Sequence, residues 1–223
     1  MLNDPTPDPS ELAAPRRPAA TVLASGSQVT PGQQAVARAF LRVIGWRTTG
    51  RAPDHPRFVL IAAPHTSAWD LPMFLACAYA MGVRVHWTGK HTIFRFPFGA
   101  LFRALGGVPI DRRANHNVVE QMVREFEKRE RFVLAIQPEG TRKRMPYWKS
   151  GFYFIARGAG VPIAMTYLDY ERKEGGFGPL LFPSSDVDAD VRAIHSFYAD
   201  KKGKHPERFG NIAFRPNEKG TRP

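Results

Sequence analysis

The rhythm of apolar positions changes along the chain, and each change marks an element. The run Phe58-Val59-Leu60-Ile61-Ala62 is short, continuously apolar and halted by Pro64, which predicts a strand buried on both faces. Phe132 to Ile136 and Val161 to Leu168 have the same character, and Val83 to Thr88 and Val108-Pro109-Ile110 give two more strands. Between them the spacing is helical, over Leu71 to Met81, Val118 to Arg131, Gly151 to Arg157, and through Val187, Val191, Ile194 and Tyr198. In the second of these helices Val119, Met122 and Phe126 form one stripe, opened by the capping pair Asn117 and Glu120. Strands alternating with helices predict an α/β fold, a central, largely parallel or mixed sheet flanked by helices.

The ends differ from this middle. Residues 1–31 contain Pro5, Pro7, Pro9, Pro15, Pro18 and Pro31 and lack the apolar stretch of a secretory signal, so a disordered tail on an intracellular protein is expected. A single domain is expected over 32–215, with a basic stretch at Lys201, Lys202 and Lys204 near its end, and a flexible tail over 216–223. The domain opens on Val36, Phe40, Val43 and Ile44 at helical spacing, with Arg38, Arg42, Arg47 and Trp46 around them. Two readings fit: an interfacial membrane anchor with Trp46 and the arginines at headgroup level, or an ordinary helix packed on the domain. The aromatic segment Ile93 to Phe102 is too apolar for a casual loop and either plugs the core or faces lipid. The longest apolar run, Leu71 to Val83, is too short to span a bilayer.

Composition narrows the function classes. A chain of 223 residues with 43% hydrophobic content is an ordinary globular domain. Its net charge of +12 and pI near 10.3 imply an anionic partner: nucleic acid, an anionic membrane surface or an acidic carrier protein. The tail carries Asp4, Asp8 and Glu11 against Arg16 and Arg17, so the surplus belongs to the folded part. Cys77, alone in an apolar run, excludes a disulfide framework and reads as a core residue. The histidines, at 55, 65, 86, 91, 116, 195 and 205, show no ligand-like clustering, so no metal is expected.

Three segments at strand ends or turns carry the candidate chemistry: His65-Thr66-Ser67-Ala68-Trp69-Asp70, Gly106-Gly107-Val108-Pro109-Ile110-Asp111-Arg112 and Glu139-Gly140-Thr141-Arg142. Residues five apart in a continuous helix point about 140° apart, so His65 and Asp70 meet only if His65 lies in a turn and Asp70 opens the helix. Pro72, suited to a first turn, places the helix start there. The carboxylate then fixes the imidazole tautomer and favours its protonated form, while backbone amides and the positive end of the helix dipole face the same site, suited to a developing oxyanion or a phosphate. The alternative is a helix-capping Asp70 beside an ordinary loop His65. Arg112 and Arg142 offer planar forks for phosphate, or else pair on the surface with Asp111 and Glu139.

Taken in order with Val161-Pro162-Ile163, these segments resemble the four signature blocks of the glycerolipid acyltransferases, which include the lysophosphatidic acid and glycerol-3-phosphate acyltransferases. The resemblance spans roughly Val59 to Leu168. It implies a glycerol-3-phosphate acyltransferase-like fold, an acyl-CoA or acyl-carrier-protein donor, no further cofactor, and a lyso-glycerolipid acceptor such as lysophosphatidic acid. His65 becomes the general base and Asp70 its partner, and Arg112, Glu139, Gly140, Thr141 and Arg142 become the acceptor's phosphate site. Lys90, before the aromatic segment, matches a lysine of such enzymes. The chain departs from the pattern in having Ala164-Met165 after Ile163 instead of a second proline, and it shows no long hydrophobic N-terminal anchor. Attachment is therefore expected to be peripheral, on the cytoplasmic face of the cell membrane. Glycolipid or amino-acid-lipid acceptors suit the same base. From another class, a nucleic-acid-binding module explains the charge and the aromatics Trp46, Trp87, Phe94 and Trp148 but not the ordered motifs.

Overall fold

The computed structural model describes residues 29–110 and 118–214. Most of the Pro-rich stretch, Arg112, Asn117, and 215–223 lie outside these residues, as do the side chains of Lys90, His91, Pro109 and Ile110. The strands are β1 (Arg47–Thr49), β2 (Arg57–Ala62), β3 (His86–Lys90), β4 (Gly107–Ile110), β5 (Phe132–Ile136), β6 (Ile163–Asp169) and β7 (Glu174–Leu181). They form one sheet in the order β1-β7-β6-β2-β5-β3-β4. All neighbours are parallel except β6 and β7, which makes the sheet mixed, as expected.

Helices α1 (Pro31–Val43), α2 (Asp70–Ala80), α3 (Gly99–Ala104), α4 (Val118–Glu127), α5 (Gly151–Gly158) and α6 (Val187–Tyr198) cover it. The alternation of β2 sets the layers. Val59 and Ile61 enter a core with Met122 and Phe126 of α4, Phe152 of α5 and Ile194 of α6. Phe58 and Leu60 enter a second core with Ala37 and Leu41 of α1 and Met73 and Phe74 of α2.

Several boundaries moved for identifiable reasons. β3 starts at His86 rather than Val83, because Val83 donates its N–H to Ala78 O (2.8 Å) and Gly82, at φ +79°, donates to Tyr79 O (2.9 Å), closing α2. α4 ends at Glu127 rather than Arg131, since Phe132 must already donate to Pro56 O (3.0 Å) beside β2. Pro31, assigned to the tail from sequence, is the first residue of α1, where its missing N–H costs nothing. Thr30 and Gln33 close a reciprocal capping box ahead of it, with bonds of 3.2 and 3.0 Å.

α1 docks through Ala37 and Leu41, and Gln34 Nε2 and Arg38 Nε both donate to Ala80 O at 3.1 and 3.0 Å. Of the stripe read from periodicity, Val36, Phe40 and Val43 face away from the domain and are exposed, whereas Ile44 is half-buried against the core. Trp46 is not part of that face; it packs edge-on against Tyr170, with ring centroids 4.9 Å apart. The aromatic segment does both things expected of it: Phe94 is buried, whereas Ile93, Phe96, Phe98 and Leu101 are exposed. Among the described residues no helix is long and apolar enough to cross a membrane.

Candidate active site

β2 and β5 run parallel with Ile61 opposite Ile136, so the turns that follow them emerge at one end of the sheet. His65 stands three residues beyond β2 and Glu139 three beyond β5, which brings the first and third motifs together. His65 Nδ1 lies 3.3 Å from Asp70 Oδ2, with the imidazole 16% exposed and the carboxylate 4%. That difference in burial suits a base open to substrate on a sequestered partner. With Nδ1 held by the carboxylate, Nε2 is the nitrogen left to accept a proton.

Asp70 is the hub of the turn. Its Oδ2 also accepts the N–H groups of Thr66 (2.6 Å) and Ser67 (2.7 Å), and its Oδ1 accepts the Tyr170 hydroxyl (2.8 Å). Burial pushes this carboxyl's pKa up, but the hydrogen bonds from His65, Ser67, Tyr170 and Thr66 outweigh it and hold the group below its usual range. It therefore stays charged and poised to stabilise an imidazolium. The same bonds correct one expectation. The amides of Thr66 and Ser67 face Asp70, and the His65 N–H donates to Glu139 Oε2 at 2.7 Å, so these three amides are not free to receive an oxyanion or a phosphate. Asp70 itself occupies the first turn of α2, where a carboxylate complements the helix dipole.

Glu139 is 4% exposed and turned inward to His65, not outward into a surface pair with Arg142. Its Oε1 is buried with no partner among the described residues. Burial raises its pKa to about 8, against the opposing pull of the His65 N–H and with the help of nearby Asp70. Near neutral pH it is mostly protonated. Gly140 adopts φ +66°, a conformation that side chains with a Cβ rarely take. Thr141 follows half-buried and Arg142 exposed. Lys90 ends β3, whose Trp87 pairs with Ala135, so it too leaves the sheet at this end; its side chain, like all of Arg112, lies outside the described residues.

Two supports were not foreseen from the sequence. Tyr170 follows β6 a hundred positions beyond Asp70, and no local pattern marks it; Trp46 packs against its ring. The second is the basic stretch that begins at Lys201, which folds back over the His65 turn. His205 N–H donates to Thr66 Oγ1 (3.2 Å), Arg208 Nη1 to Thr66 O (3.4 Å), and Lys201 Nζ lies 4.8 Å from the Tyr167 ring centre. Replacing Tyr170 by Phe is expected to cost about 1.5 kcal/mol, the weight of a hydrogen bond to a charged acceptor. It should also raise the Asp70 pKa, so that the acid limb of the pH–rate profile moves to higher pH; an unshifted limb would remove Tyr170 from the positioning of Asp70.

The recess behind His65 and Phe74 measures about 10 Å³. A cleft of about 740 Å³ opens at the other end of the sheet, between His55, Arg84, His86 and Arg129. It holds none of the motif residues, and burial, reinforced by Arg129, lowers the His86 pKa to about 4, which keeps that ring neutral.

A buried carboxylate thus backs a largely buried imidazole at one end of a mixed α/β sheet. Residues 46–168 match the acyltransferase family, and the chain belongs to it. Its fold is similar to that of the 1-acyl-sn-glycerophosphate (LPA) acyltransferase PlsC from Thermotoga maritima, with a TM-score of 0.54 and 14% identity over 74% of this chain and 75% of that one. The resemblance to glycerolipid acyltransferases drawn from the four blocks is thus borne out in family and fold. No curated protein matches the chain significantly.

Proposed function

We propose that this protein transfers a fatty acyl group from an acyl-CoA or acyl-carrier-protein thioester to a hydroxyl of lysophosphatidic acid or a related lyso-glycerolipid. The observation that carries this reading is the 3.3 Å approach of Asp70 to His65 Nδ1 at the carboxyl end of the parallel strands. His65 Nε2 takes the hydroxyl proton as that oxygen attacks the thioester carbonyl carbon. The tetrahedral adduct then collapses with cleavage of the C–S bond, the sulfur leaves as a thiol carrying the proton held by His65, and an ester remains. No acyl-enzyme is required: Ser67 is buried and its hydroxyl accepts the Trp69 N–H at 3.2 Å.

Arg112, Arg142 and Lys90, with the Glu139-Gly140-Thr141 turn, take the acceptor's phosphate in this reading. A protonated Glu139 suits the role, because a second carboxylate beside Asp70 would repel an anionic acceptor. The Thermotoga maritima relative is named for a phosphate-bearing acceptor, which supports the same choice. The enzyme works from the cytoplasmic side on an anionic membrane surface, to which its net charge of +12 attracts it. An acidic carrier protein is drawn by the same charge, whereas nucleic acid has no part in the reaction.

The test is to incubate the purified protein with labelled acyl-CoA or acyl-carrier protein and a panel of lyso-acceptors, and to identify the product by mass. An ester of a lyso-phospholipid is expected; thioester left intact or merely hydrolysed with every acceptor would overturn the proposal. In the same assay Arg142→Ala should raise KM for a phosphate-bearing acceptor by about tenfold with kcat little changed. An unchanged KM would take Arg142 out of the acceptor site.

A further inference from the structure

Ten large hydrophobic side chains are exposed among the described residues, and their placement is uneven. Trp69, Ile93, Phe96, Phe98, Leu101 and Tyr147 all lie on the segments that leave the carboxyl ends of β2, β3 and β5. These strands are parallel and in register, so the segments share the end of the sheet that carries His65 and Glu139. Phe96 is 97% exposed, more than any other of the ten. Its loop is nevertheless firmly based: Phe94, 4% exposed, stacks on Trp87 with centroids 5.7 Å apart, and Arg103 Nη1 donates to Phe94 O at 3.3 Å.

Cations stand among these apolar groups. Arg95 and Arg103 flank the loop, Arg142, Lys143 and Arg144 are exposed just ahead of Tyr147, and Lys204 Nζ lies 5.6 Å from the Trp69 ring centre. We propose that the tip Ile93–Leu101 inserts into an anionic lipid bilayer, with the surrounding arginines and lysines at the headgroups, so that the catalytic end of the sheet faces the membrane. This rests on the acyltransferase reading above and names the surface through which its substrate arrives.

Three observations favour a bilayer over a protein partner. The feature is a projecting tip and not a groove, so it needs a medium to enter rather than a shape to match. Apolar and cationic groups alternate, the arrangement that interfacial anchors present to anionic lipid. The recess behind His65 measures about 10 Å³, too small for an acyl chain, and a bilayer at this end would continue the apolar surface.

The test uses the full chain and phosphatidylcholine vesicles with and without phosphatidylglycerol. Replacing Phe96 and Phe98 together by Asp is expected to lower partitioning onto anionic vesicles by about tenfold or more. Phe182→Asp serves as the control: Phe182 is exposed just past β7, whose Leu181 pairs with Ile163 at the start of β6, so it lies at the opposite end of the sheet and should leave partitioning unchanged. Because the lone Cys77 is buried, Phe96→Cys can carry a polarity-sensitive dye at one accessible position, and its emission should report an apolar environment when vesicles are added. Unaltered partitioning of the double variant, dye emission indifferent to vesicles, or binding to acidic carrier protein but not to vesicles would each overturn the proposal. Activity on a short-chain, water-soluble thioester and lyso-acceptor should survive in the double variant. Its absence in the unaltered protein would count against the acyltransferase reading, whereas the vesicle measurements judge the docking surface separately.

Discussion

His65→Ala protein is expected to fold normally and to lose acyl transfer by about 10² to 10⁴ in kcat, the usual contribution of a positioned general base. The fold should survive because the imidazole sits at the rim, and Asp70 keeps its bonds to Thr66, Ser67 and Tyr170 when the ring is removed. Activity should not, because an unassisted hydroxyl is a poor nucleophile toward a thioester at neutral pH. Measuring kcat at saturating acceptor alongside the thermal unfolding midpoint separates the two effects. Near-normal transfer by a well-folded variant would remove His65 from the chemistry, and with it the reason for the buried carboxylate behind it.

The second large effect is in stability. Glu139 titrates at 4.5 when exposed and at about 8 in the folded protein, because burial penalises its charged form. Between those values the folded state retains a proton that the unfolded chain releases, so stability is greatest below pH 4.5 on account of this group and declines as pH rises to about 8. A tenfold change in proton affinity is worth about 1.4 kcal/mol, which puts the decline on the order of a few kcal/mol. Glu139→Gln keeps an oxygen for the His65 N–H and cannot titrate. Urea unfolding at a series of pH values should therefore show a steeper fall for the unaltered protein than for the variant across that window. Parallel curves would mean that Glu139 is ionised in the fold.

Much of the frame was legible because burial on two faces leaves a mark that sequence alone can carry. The apolar run of β2 announces a strand covered on both sides, and its alternate residues do enter opposite cores. The stripe of Met122 and Phe126 on α4 is buried as its spacing implies. β7 was missed because its residues, Glu174-Gly175-Gly176-Phe177-Gly178-Pro179, argue against a strand by local preference. Its glycines answer to tertiary contacts: a Cβ on Gly176 would stand 2.0 Å from Thr49 O of β1, and one on Gly178 2.2 Å from Phe197. On α1 the periodicity of Val36, Phe40 and Val43 was real, but periodicity states which residues share a face and not which face the domain covers.

The site divides along the same line. The meeting of His65 with Asp70 followed from helix geometry and the position of Pro72, and the convergence of His65 with Glu139 followed from motifs placed after parallel strands. The direction in which the turn amides point did not, because it depends on how one carboxylate folds back over Thr66 and Ser67. Tyr170 was equally invisible, since its contact with Asp70 is made by a loop far along the chain and by the packing of Trp46 upon it.

The return of residues 201–208 to the Thr66 peptide has a consequence for how the protein comes into being. During translation the groups that clasp the turn, the His205 amide and the Arg208 guanidinium, emerge 139 and 142 residues after Thr66 itself. A nascent chain still lacking them carries the His65 and Asp70 side chains on an unclasped turn, so the pair is made long before it is fastened in place.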